Sequence, residues 1–174
     1  FCGGAPAFLQ GAIDEADVQR RDLGSLAVFP VGGADVRPEL VRRANRVGIR
    51  CGRGYGSTEF PSITSAAGFG TPDELRATTE GRPIGANQVR IVDGEIQARG
   101  PEMFGGYSDP ALDAAAFTSD GWLRTGDLGT LDADGYLTVT GRLKDIVIRL
   151  GEKISAREVE DLLRDHAAVR DAAV

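Results

Sequence analysis

The sequence predicts an α/β fold whose second half turns to antiparallel strands, and three observations predict it. A strand, a helix and a strand follow one another over residues 26–55 as a βαβ unit. From about Gly81, short strand-like segments alternate with Asp-Gly and Gly-Gly turns. Glycine supplies 24 of the 174 residues, roughly twice its ordinary share. These glycines gather between apolar segments, as in loops that need positive φ or close approach of a ligand to the backbone.

Taken in order, "LAVFPV" (26–31) is a short apolar run ending in glycines. In "RPELVRRANRV", Leu40, Val41, Ala44 and Val47 fall at helical spacing and Pro38 suits a first turn. "GIRCGRGYG" reads as a second buried strand, so the "GGAD" and "GYGSTE" loops both leave the ligand-bearing end of a parallel sheet and face one crevice. "QVRIV", "EIQAR", "YLTVT" and "IVIRL" read as strands of an antiparallel sheet or small barrel, interrupted by the helical insert "DPALDAAAF". Ser155 and Glu158 form a capping box opening "AREVEDLLRDH", with Val159, Leu162 and Leu163 on one face. "RDAAV" begins a further strand, and both ends stop in mid-pattern, which reads as a piece of a longer chain.

Charge and composition exclude several classes. The net charge is −6 with no Lys/Arg block, which argues against nucleic acid and against an anionic membrane surface. No apolar run spans a bilayer and no signal-peptide pattern opens the chain, so a cytoplasmic protein is expected. Cys2 and Cys51 fit no metal spacing and read as buried reduced thiols; His166, the single histidine, reads as a solvated residue near a helix end.

Two stretches carry chemistry. "YGSTE" offers a ring to stack on a base, amides and a hydroxyl for phosphate oxygen, and in Glu59 a carboxylate for a divalent ion. A glycine-rich turn with a surface glutamate explains the pentapeptide equally well. It is not a nucleophile elbow, and Gly52, Gly54 and Gly56 do not complete a dinucleotide fingerprint. Downstream, Asp127 is expected in a Thr-Gly-Asp turn and Arg142 at a strand end; an aspartate can accept both ribose hydroxyls and an arginine can bridge ribose and phosphate.

"GYGSTE", "GWLRTGDLG", "DGYLTVTGRLKDIVI" and "GEKISAREVEDLL", in this order, resemble the successive core motifs of the AMP-forming adenylating enzymes, which include acyl-CoA synthetases and peptide-synthetase adenylation domains. The resemblance runs from about Leu23 to the end, and "VFPVGGADVRPEL" resembles the family's Gly-Gly-Ala-Pro loop with Asp35 in place of proline. It implies an α/β and β-barrel-like large domain, split here into residues 1–82 and 83–143, followed by the hinge and start of a small α+β domain at 144–174. It implies attack of a carboxylate on the α-phosphate of ATP, giving acyl-AMP and pyrophosphate, then thioester formation.

Carried over by motif, Gly33, Ala34, Arg53, Gly54 and Tyr55 would line the adenine, Thr58 would contact phosphate and Glu59 would hold Mg²⁺. Asp127 would take the ribose hydroxyls and Arg142 would reach ribose and phosphate. Gly32, Gly33, Ser57 and Phe60 would flank the acyl pocket, and Lys144 would be the hinge. "IRLGEKIS", with Leu150 and Gly151, would meet the pantetheine arm of CoA, although Leu150 and Lys153 depart from the usual glycine and asparagine. The family's phosphate loop and catalytic lysine would lie outside the 174 residues, which alone would then form no acyl-AMP. "KDIVIRLGEKISAREVEDLL" favours a ligase using ATP, Mg²⁺, a small carboxylic acid and CoA, in lipid metabolism. Alternatives are a carrier-protein-loading adenylation domain and a non-catalytic nucleotide-binding module; a homo-oligomer is left open.

Overall fold

The computed structural model describes residues 2–149, 152–164, 166, 168, 169 and 171–174. Its first element is a helix that the motif reading does not anticipate. Helix α1 (Pro6–Gln19) has proline in its first turn and buries Leu9, Ile13 and Ala16, spaced by four and three. Strand β1 (Val28–Val31), helix α2 (Pro38–Arg46) and strand β2 (Arg50–Tyr55) then form the expected βαβ unit, with β1 and β2 parallel from Val28↔Arg50 to Val31↔Arg53. Leu40, Val41 and Ala44 are buried as the periodicity predicts, whereas Val47, at the helix end, is exposed. Together with Leu9, Ile13, Phe29, Val31, Ile49 and Cys51 they make the first core.

Strand β3 (Thr64–Ser65) adds antiparallel to β2, helix α3 (Asp73–Thr78) follows, and strand β4 (Arg82–Pro83) closes the order β1-β2-β3-β4. The second sheet has the order β5-β6-β7-β8 and is antiparallel throughout: β5 (Gln88–Val92), β6 (Glu95–Arg99), β7 (Leu123–Leu131) and β8 (Leu137–Arg142). Asp93 and Gly94 turn the first hairpin with φ of 52° and 84°, the double positive φ that a two-residue Asp-Gly connection requires. The helical insert is a 3₁₀ turn (Pro110–Leu112) running into the short α4 (Asp113–Ala116). A second core of Phe60, Ile63, Ala98 and Leu123 lies where this sheet meets the first.

After β8 comes a 3₁₀ turn (Leu143–Asp145), then the antiparallel pair β9 (Ile146–Arg149) and β10 (Glu152–Ser155), then α5 (Ala156–Arg164). Three expectations are corrected here and at the N-terminus. Ser155 closes β10, and its hydroxyl donates to the Thr140 carbonyl at 2.8 Å, which ties the start of α5 to β8; among the described residues no hydrogen bond joins Ser155 to Glu158 as a capping box would. Leu162 and Leu163 are exposed, leaving Val159 half-buried as the inward member of that set. Cys2 is exposed and only Cys51 is buried. His166 is exposed just past α5, as read. No helix among the described residues is long and apolar enough to cross a membrane.

Candidate nucleotide site

The site begins where β2 ends. Residues 56–61 turn tightly, with Ser57 N–H donating to Phe60 O at 3.0 Å and Ile63 N–H to Tyr55 O at 3.0 Å. The turn needs glycine at position 56, because a Cβ there would overlap the Pro61 carbonyl. A Cβ on Gly32, at the end of β1, would lie 2.6 Å from Gly54 O. Gly32 and Gly56 therefore serve close backbone packing, which brings the ends of β1 and β2 side by side.

Asp127 lies within strand β7, not in the turn expected from sequence. Between the pairs Gln97↔Arg124 and Glu95↔Leu128, β6 advances two residues while β7 advances four. The surplus forms a bulge around Gly126, whose φ of 72° only glycine adopts without strain. Thr125 anchors it, its hydroxyl donating to Ile96 O at 2.7 Å and accepting from Asp127 N–H at 3.1 Å. Gly126 N–H donates to Glu95 Oε1 at 3.2 Å.

The bulge delivers Asp127 to Tyr55. The Tyr55 hydroxyl donates to Asp127 Oδ2 at 2.6 Å, and Arg142 Nε, opposite in the β7–β8 register, donates to Oδ1 at 3.1 Å. Burial, and after it the Asp127 carboxylate, pushes the Tyr55 phenol far up, so it remains a donor. Each carboxylate oxygen keeps one acceptor position after these bonds. Two acceptors held at fixed spacing suit a vicinal diol, and the Arg142 side chain, 71% exposed, has free N–H groups beside them.

Glu59 stands four residues beyond Tyr55. Its own backbone N–H, then the Ser57 and Tyr107 hydroxyls, hold its carboxyl below the ordinary range. Tyr107 O–H donates to Oε1 at 2.9 Å, and Tyr107 is set by Phe104, edge-on at 4.9 Å, whose N–H donates to Glu59 O at 2.8 Å. Among the described residues no three His, Cys, Asp or Glu side chains come together as a metal cage. One ionised carboxylate fits Mg²⁺, which binds through one or two carboxylates and takes its remaining ligands from substrate phosphates and water.

Residues 1–108 match the model of the family described as AMP-binding enzyme. The chain belongs to the AMP-binding enzyme family. It is 43% identical over 170 residues to triostin synthetase I of Streptomyces triostinicus, covering 90% of this chain and 32% of that protein. It is 36% identical over 183 residues to the medium-chain fatty-acid–CoA ligase of Escherichia coli, covering 98% and 32%. Among solved structures it resembles the O-succinylbenzoate coenzyme A synthetase of Bacillus subtilis in complex with ATP and magnesium ion, at TM-score 0.83 and 29% identity, over 99% of this chain and 38% of that one. The chain thus spans about a third of the length of the curated relatives it matches. The family match starts at residue 1, ahead of Leu23, and so takes in α1.

Within this member of the AMP-binding enzyme family the expected site residues fall in several places. Gly32, Gly33, Ala34, Ser57, Thr58 and Glu59 lie on the loops after β1 and β2, Gly54 and Tyr55 end β2, and Asp127 and Arg142 lie on the β7–β8 pair, with Gly33, Ala34 and Thr58 exposed. Arg53 and Phe60 are buried. Arg53 pairs with Glu80 and donates to Ala77 O at 3.3 Å, and Phe60 packs in the second core. Lys144 is exposed in the 3₁₀ turn between β8 and β9, an element boundary of the kind a hinge uses. Leu150 and Gly151 lie outside the described residues. Sequence reasoning missed Tyr107, Thr125 and Glu80; the aromatic after Gly105-Gly106 was the available signal for the first.

Proposed function

We propose that this chain is the nucleotide-handling and hinge-bearing part of an AMP-forming acyl-CoA ligase. The observation that carries the reading is the Tyr55–Asp127–Arg142 set, joining the end of β2 to the β7–β8 pair four residues before the ionised Glu59. In the proposed reaction a carboxylate oxygen attacks the α-phosphorus of ATP. The bond from that phosphorus to the bridging oxygen breaks, and pyrophosphate leaves with the electron pair. Asp127 holds the ribose diol, Arg142 the ribose and α-phosphate, and Thr58 a phosphate oxygen, while Gly33, Ala34, Gly54 and Tyr55 border the base. Glu59 would hold Mg²⁺, which supplies charge neutralisation at the phosphates. Such catalysis works through positioning and electrostatics and needs no histidine or protein nucleophile.

In this reading residues 1–82 and 83–143 belong to the large domain, 144–174 open the small one, and thioester formation with CoA follows rotation at Lys144. The Lys144-Asp145-Ile146 segment and the likeness to a fatty-acid–CoA ligase over 98% of the chain support CoA as acceptor and a role in lipid metabolism. The likeness to triostin synthetase I supports a second reading, an adenylation domain that loads a carrier protein. The test uses the full-length protein. Acid-dependent ATP–pyrophosphate exchange is expected, reduced at least tenfold in Asp127→Ala through KM for ATP, with acyl-adenylate discharged by free CoA. Exchange unaffected by Asp127→Ala would overturn the site, and discharge onto a carrier domain but not CoA would favour the second reading.

A further inference from the structure

A line of alternating charge runs from the first core to the small C-terminal segment. Buried Arg53 pairs with Glu80, whose second oxygen accepts Val139 N–H at 2.8 Å. Arg157, the second residue of α5, pairs with Asp35 at 2.6 Å, and its charge also reaches Glu80. Asp35 sits in the loop that carries Gly33 and Ala34, at the position where this chain departs from the Gly-Gly-Ala-Pro pattern. Arg53 and Arg157 both line a cavity of about 1000 Å³ between the second sheet and α5, walled by Leu128, Val139, Leu143 and Ile148. Along this face α5 and its entry are tied to the rest by Ser155 to Thr140 and Arg157 to Asp35. Of these, the ion pair reaches the loop after β1, and past α5 Asp171 pairs with Arg37 at the end of that loop, at 3.3 Å.

We propose that Asp35 and Arg157 form a latch that seats the small segment on the loop of residues 32–36, making both positioning residues: the setting of that loop depends on where α5 sits. The inference rests on the functional reading above for the loop's place at the nucleotide and for motion at Lys144. When α5 swings away, Asp35 loses its partner, and the Arg37–Asp171 pair at the end of the same loop parts with it. When nucleotide orders the loop, Asp35 is presented to Arg157 and the segment is held. Side-chain exposures of 41% and 26% make the pair a modest, salt-screened interaction. That strength suits a contact which must break in every cycle.

The test is limited trypsin digestion of the full-length protein, following cleavage after Lys144, together with KM for ATP in pyrophosphate exchange. Asp35→Asn and Arg157→Gln should each cleave about two- to fivefold faster at low salt and raise KM by a similar factor. The exchanged pair D35R/R157D should return both toward wild type, which a merely structural loss would not do. High salt should bring wild type to the level of the single variants. Unchanged cleavage in both single variants, an unchanged KM alongside faster cleavage, or a swap no better than the singles would each overturn the latch. Absence of exchange in the wild type would instead overturn the functional reading, while cleavage would still judge the ion pair.

Discussion

Tyr55 shows at the scale of one residue how a site is made from ordinary parts. Its ring packs against the second core while its hydroxyl meets Asp127, a partner 72 positions away. Removing the hydroxyl in Tyr55→Phe deletes a hydrogen bond to a charged group, a loss of about 1–2 kcal/mol for a carboxylate that water partly reaches. Asp127 would then be held by Arg142 alone, itself largely exposed, and its two free acceptors would no longer keep their spacing. KM for ATP is expected to rise more than kcat falls, with a lowered denaturant midpoint; equal kinetics in both forms would remove Tyr55 from the site. Both residue types were legible in the sequence beside their glycines, but their partnership was not, because no local pattern states which strands become neighbours. Cys51 carries the same lesson: its thiol, pushed up to about 12 by burial, follows the strand's place in the core, whereas exposed Cys2 lies outside that core.

At the scale of elements, what was legible is what periodicity writes down: β1, α2, β2, the β5–β6 hairpin and the βαβ order. The motif reading passed over α1 although Leu9, Ile13 and Ala16 keep helical spacing. Asp127 is expected in a Thr-Gly-Asp turn because glycine usually marks one. Here the glycines serve a strand. Gly126 makes the bulge, and Gly129 lies so close to β8 that a Cβ would sit 2.7 Å from Thr138 O. The Ser155 hydroxyl meets a carbonyl on β8, a partner that local sequence does not state. These contacts make Gly126→Ala and Gly129→Ala informative. The first places an L-residue at positive φ and should cost about 1–2 kcal/mol while displacing Asp127. The second should cost at least as much by parting β7 from β8, and Gly105→Ala, with open space and no positive φ, is the neutral control. Denaturant midpoints of the three variants decide it, and a Gly126→Ala protein as stable and as active as wild type would show that the bulge does not set the carboxylate.

At the scale of the whole molecule, the two sheets must stay in register for Tyr55 to meet Asp127, and one short segment joins them. Glu80 N–H donates to Leu137 O and Leu137 N–H to Gly81 O, each at 2.8 Å, while the Glu80 carboxylate takes Val139 N–H and the Arg53 guanidinium. Both side chains are more than nine-tenths buried, and Arg53 Nε has no partner. Burial raises the Glu80 carboxyl above its ordinary value, with Arg53 the largest of the opposing influences. The ionised carboxylate is therefore under-compensated, and in a carboxyl of raised pKa the resulting penalty is full above that pKa and relieved as pH falls through it toward 4.5, the unperturbed value. Glu80→Ala should nevertheless be strongly destabilising, by about 3–5 kcal/mol, because it strands a buried guanidinium. The double variant Arg53→Met with Glu80→Leu removes both charges and should return stability to near wild type, apart from the orphaned Val139 N–H, whose cost is about 1–3 kcal/mol. Relative to wild type the double variant should do best near neutral pH and lose that advantage as pH falls toward 4.5, where the native carboxyl is itself neutral. Denaturant melts of the three proteins across this range check both signs; a double variant as unstable as Glu80→Ala would mean that the ion pair is specifically required to hold the sheets together.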